Sequence, residues 1–102
     1  MKLKSGVKLT GLQPQMALAA LIVTSVYAPA ACTITSANDS THSEGSLHYK
    51  GQALDFRTKD YAGDRVKLRD DVRAALGPDF DVVLEALEQD NEHLHVEYDP
   101  KG

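Results

Sequence analysis

Residues His93 to Tyr98 alternate without a break: His93, His95 and Glu97 fall on one side of an extended chain, Leu94, Val96 and Tyr98 on the other. A period of two is the mark of a strand with one apolar and one polar face. Gln52 to Arg57 carries the same signature, with Leu54 and Phe56 opposite Ala53, Asp55 and Arg57. Phe80 to Glu85 alternates as well, and the β-branched run Cys32 to Ser36 reads as a fourth strand. Strands of this kind need a core against one face only.

Two segments have the period of helices. From about Asp64 to Leu76, acidic residues come early and Gly77-Pro78 supplies the stop. Pro14 suits a first helical turn, and Leu18, Leu21, Ile22 and Val26 after it fall on one face, as a core helix requires. The second segment has a rival reading. Lys2, Lys4 and Lys8 precede the apolar run Met16 to Tyr27, and Ala28-Pro-Ala-Ala-Cys32 follows, in imitation of a secretory or lipoprotein signal with Cys32 acylated. Cleavage there would discard roughly a third of a small domain and much of its core, so the helix is the favoured reading. The run is too short to span a bilayer.

Residues 37–47 are turn-formers and read as a loop, and Ala86 to Asn91 as a short connection. The order α-β-β-α-β-β predicts an α+β fold, a small antiparallel sheet flanked by an N-terminal and a middle helix. With 102 residues and no repeat or linker, residues 1–102 form one domain. Net charge is −4 with no Lys/Arg run, which leaves nucleic-acid binding without an electrostatic footprint. The single cysteine rules out an internal disulfide, so a bound metal would be a useful source of stability.

The four histidines lie at 42, 48, 93 and 95. His48 leads into the strand that carries Asp55 on its polar face, and His95 is on the polar face of the last strand. If those strands pair, two imidazoles and a carboxylate converge on one sheet face. Such a set suits zinc and leaves a fourth position for water, whose pKa the ion lowers to about 7. Glu92, three residues before His95, is placed to accept that water's proton. His93 shares the face and could be a ligand, a proton donor or an oxyanion stabiliser. The competing reading of an isolated His-x-His is a solvated strand face, because such short motifs match by chance.

The segment Ser46-Leu-His-Tyr-Lys-Gly-Gln-Ala-Leu-Asp55 resembles the Ser-x-His-x-x-Gly-x-Ala-x-Asp signature of the D-alanyl-D-alanine carboxypeptidase and dipeptidase group of zinc metallopeptidases, which includes many phage cell-wall lysins. Every fixed position is present: Ser46, His48, Gly51, Ala53 and Asp55. Glu92-His93-Leu94-His95 looks like the group's second signature, Glu-x-x-His before a terminal strand, and also its His-x-His variant. The resemblance implies one zinc ion per chain on the sheet face, held by His48, Asp55 and His95, with Glu92 as base. It implies hydrolysis of peptide bonds in peptidoglycan stems, synthesis in the cytoplasm with action at the cell wall, a phage or prophage origin, and attachment to a larger phage particle as one source of wall affinity. The signalling domain of hedgehog proteins resembles the same fold, which keeps open a zinc-stabilised binding domain without hydrolysis.

One departure stands out. Many relatives carry an arginine shortly after the Thr-Ser strand, where the resemblance implies a residue that stabilises the transition state, whereas this chain reads Thr35-Ser-Ala-Asn-Asp-Ser40. His42, His93 and Arg57 are the candidates for its task, and the motif dictates none of them. Arg57 reads equally well as a solvated surface residue.

Overall fold

The computed structural model describes residues 1–9, 11–37 and 52–100. Its elements are β1 (Lys2–Leu3), α1 (Pro14–Tyr27), β2 (Thr33–Ser36), β3 (Ala53–Arg57), α2 (Arg65–Leu76), β4 (Phe80–Glu85) and β5 (His93–Tyr98). The strands form one sheet in the order β1-β2-β3-β5-β4. The fold is α+β, as expected, but the sheet is mixed rather than antiparallel throughout. Lys2 and Leu3 pair parallel to Thr33 and Ile34. A two-residue strand has no period to detect, and only its pairing reveals it.

Both helices pack on the same sheet face. Leu54 and Phe56 of β3, Leu94 and Val96 of β5, Ile34 of β2 and Val82 of β4 meet Met16, Ala19, Ala20, Val23 and Tyr27 of α1 and Leu68 and Val72 of α2 in one core. The face α1 buries differs from the expected one. Leu18 and Leu21 are 60% and 63% exposed, while Met16, Ala19, Ala20, Val23 and Tyr27 form the buried stripe. The run is apolar nearly all round, so its period does not choose a face. The small Ala19 and Ala20 let the helix approach its neighbours closely, and the Tyr27 hydroxyl donates to the Arg57 carbonyl at 2.8 Å, fixing α1 to the end of β3.

The second helix starts where its sequence directs. The Asp64 carboxylate accepts from the Val66 and Lys67 amides, an N-cap that satisfies donors left open in the first turn. Gly77 ends it at φ 88°, a left-handed conformation natural to glycine. Arg73, in its last turn, reaches the sheet and donates from Nε to the Val82 carbonyl at 3.0 Å. No helix among the described residues is long and apolar enough to cross a membrane. Cys32 is buried, and burial raises its thiol pKa.

Candidate functional site

With both helices on one face, the other is left to the polar positions of the strands, and the register arranges them in rows. Asp55 of β3 lies opposite His95 of β5, and His95 opposite Val83 of β4. In the next row stand Arg57, His93 and Glu85. In the row on the other side stand Ala53, Glu97 and Asp81. The odd phase of β5 thus meets the matching phases of β3 and β4, which is how alternating strands bring residues 40 apart in sequence into contact.

His95 is held on this face between two carboxylates. His95 Nδ1 lies 2.8 Å from Asp55 Oδ1 and its Nε2 lies 2.8 Å from Glu97 Oε1. Both imidazole nitrogens therefore face carboxylates. Burial works against a charge on His95, but the hydrogen bonds to Asp55 and Glu97, with the charges of Asp55 and Glu85, outweigh it and lift its pKa from 6.5 to about 9. Glu85 completes a cluster with Asp55 and His95 whose ligand atoms all lie within 4.8 Å of one another. His93 sits at the edge of the cluster, its Nε2 3.1 Å from Glu85 Oε1 and 3.9 Å from Asp55 Oδ2, its Nδ1 3.0 Å from the Asn91 carbonyl.

Glu92 belongs to a different environment. It is 7% exposed, and its carboxylate accepts from the buried Thr58 hydroxyl and, at 2.8 Å, from the Glu88 amide. Arg65 Nε stands 3.0 Å from Glu92 Oε2, close enough for an ion pair although its N–H is not aligned for a hydrogen bond. These contacts brace the turn between β4 and β5, where Ala86 and Glu88 hold φ of 54° and 66°, uncommon for residues with a Cβ. Glu92 also lines, with Asp55 and His93, a cleft of about 330 Å³ whose other walls are Lys4, Thr35, Arg57, Lys59, Asp90 and Asn91.

Of the residues expected at the site, Asp55, His93 and His95 come together on one face, and Arg57 stands one row away. His42 and His48 lie outside the described residues. Glu85 and Glu97 were not singled out by sequence reasoning for any role. The signal for Glu97 is its phase, shared with His95; that for Glu85 is the alternation of β4, which points Asp81, Val83 and Glu85 the same way once β4 is paired with β5. Comparison with models of known protein families, with curated proteins and with solved structures finds no match to this chain.

Proposed function

We propose that the chain is a zinc-dependent peptidase acting on the stem peptides of peptidoglycan. The observation that carries this reading is the Asp55–His95 pair: a carboxylate oxygen and an imidazole nitrogen at 2.8 Å in directly opposed register positions. The donor types suit zinc, and Glu97 at the far nitrogen of His95 supplies the outer carboxylate that commonly orients a metal-binding histidine. Asp55 and His95 would hold the ion together with His48, as the two ordered sequence motifs imply. When bound, zinc supplies Lewis-acid polarisation of a carbonyl and a more acidic water. Glu92, on the wall of the same cleft, is the proposed proton acceptor, and its fixed partners keep the carboxylate in place. His93 faces the cleft and is the proposed donor to the developing oxyanion.

The committed carboxylate of Glu92 is also the observation that favours a second reading, a zinc-stabilised binding domain of the same architecture without hydrolysis. Protein purified without chelator should contain close to one zinc per chain, and His48→Ala or Asp55→Ala should abolish it. Protein free of metal would rule out both readings. Digestion of purified peptidoglycan followed by mass spectrometry separates them: new stem fragments identify the peptidase, and an unchanged digest by zinc-loaded protein identifies the binding domain.

A further inference from the structure

Three carboxylates converge on His95, more negative charge than one imidazole can balance. Asp55 Oδ1 and Glu97 Oε1 each lie 2.8 Å from one of its nitrogens, and Glu85 Oε1 lies 3.8 Å from Nδ1, the nitrogen that faces Asp55. The side chains of Asp55 and His95 are only 14% and 17% exposed, so solvent screens this charge poorly. Among the described residues, Glu85 and Glu97 form ion pairs with histidines alone. Such an arrangement calls for a cation.

The register brings Glu85 to this point. Val83 stands opposite His95 on β4 and offers no ligand atom. Glu85 stands opposite His93, which makes it a diagonal neighbour of His95, within reach of a long side chain. Ligand atoms of Asp55, Glu85 and His95 all lie within 4.8 Å of one another. Donors bound at about 2.1 Å around a tetrahedral zinc stand about 3.4 Å apart. The separations of 2.8 Å and 3.8 Å bracket that value, so small side-chain rotations suffice to bring the three donors onto one ion. Two of the donors are also held from outside the set: His95 by Glu97 at its far nitrogen, and Glu85 by His93, whose Nε2 lies 3.1 Å from Oε1. Metal ligands are commonly oriented by an outer layer of polar groups of this kind.

We infer that Glu85 is a direct ligand of the bound ion, beside Asp55 and His95. The inference rests on the zinc reading shared by both proposals above and changes the character of the site. Two carboxylates neutralise a divalent cation, and Glu85 takes a position that the sequence motifs leave to water. It ends β4 and its side chain is 48% exposed, so of the three ligands it is the one free to swing away without moving a strand. Glu85 thereby sets how easily a small molecule reaches the ion: the position is guarded while the carboxylate is bound and open when it leaves.

The test uses full-length protein loaded with cobalt(II), whose visible spectrum responds to its ligands, and azide as the probe of an open position. Glu85→Ala should lower the azide concentration at half-saturation at least tenfold. In competition with a chromogenic chelator, the same variant should bind zinc at least tenfold more weakly than wild type. Glu85→Gln, which keeps the length of the side chain, should shift both measurements in the same direction, and circular dichroism checks that both variants fold. Asp81→Asn removes a charge from the same strand face without removing a proposed ligand, and should leave both measurements within threefold of wild type. Values for the two Glu85 variants within threefold of wild type, or an Asp81→Asn effect as large as theirs, overturn the inference. The zinc reading fails separately: wild type that takes up neither zinc nor cobalt loses the site altogether, whereas one zinc per chain with no response to Glu85 loses only this ligand.

Discussion

Asp55 and His95 hold each other before any ligand arrives, and that has a cost for a metal. A histidine binds a cation only when neutral at the ligating nitrogen, whereas the surroundings of His95 hold it protonated up to about pH 9. In the metal-free protein the folded value lies above the unfolded one of 6.5, so the stabilisation is complete below about pH 6.5 and is lost as pH rises through about 9. NMR titration of the His95 ring should find that midpoint, and a ring that titrates at 6.5 or below contradicts it. Zinc uptake at pH 7 should release a proton, visible as a dependence of calorimetric heat on the ionisation enthalpy of the buffer. Glu92 invites a contrast of two substitutions. Glu92→Ala removes the acceptor for the Thr58 hydroxyl and the Glu88 amide and should cost about 2–4 kcal/mol of stability in chemical denaturation. Glu92→Gln keeps an acceptor oxygen for the Glu88 amide. If Glu92 is the base, this variant should lose hydrolysis by at least a hundredfold while retaining zinc; unchanged turnover would remove Glu92 from the chemistry. That Asp55 and His95 each lie on a polar strand face was legible in the sequence because both strands alternate; that the two strands are neighbours was a condition their periods leave open, and the register supplies it. Glu85 was not legible, because which strand neighbours β5 on its other side is a question of topology, not of period.

At the scale of elements, the four longer strands and α2 were legible nearly to the residue, whereas β1 was not. Their signals are local: alternation, an Asp64 cap, and Gly77 at a left-handed turn. The orientation of α1 was not. A helix apolar on every side can bury any stripe, and the choice fell to close packing at Ala19 and Ala20 and to the hydrogen bond of Tyr27. The consequence is measurable. Leu21→Gln, although it replaces a large apolar residue, should change stability by less than about 0.5 kcal/mol, as exposed positions do. Met16→Ala, at a fully buried position, should cost about 2–5 kcal/mol. Thermal or urea denaturation distinguishes this orientation from one with Leu18 and Leu21 inward, for which the order of the two effects reverses. The N-terminal residues carry a second lesson. Lys2 and Lys4, which read as the charged end of a signal, are here the edge of the sheet and the rim of a cleft.

For the whole molecule, one asymmetry governs the rest. Placing α1 and α2 on one sheet face gives a single core and leaves the opposite face to histidines and carboxylates, so the apolar packing and the cluster of titratable groups occupy separate sides of one thin sheet. Among the described residues the sheet also has two open ends, and each invites another molecule to add a strand. At one end β1 is only two residues long and offers little to pair with. At the other, β4 runs for six residues with Val83 exposed, a far better template. There the contact from Arg73 to the Val82 carbonyl acquires a meaning beyond joining helix to strand: it occupies an acceptor that a visiting strand would need. Arg73→Ala should therefore leave the fold in place but make the protein self-associate at high concentration, detectable by light scattering, whereas Arg73→Lys, which keeps a donor on a long arm, should associate less. The guanidinium of one helix residue is thus a guard on how these molecules meet one another when crowded.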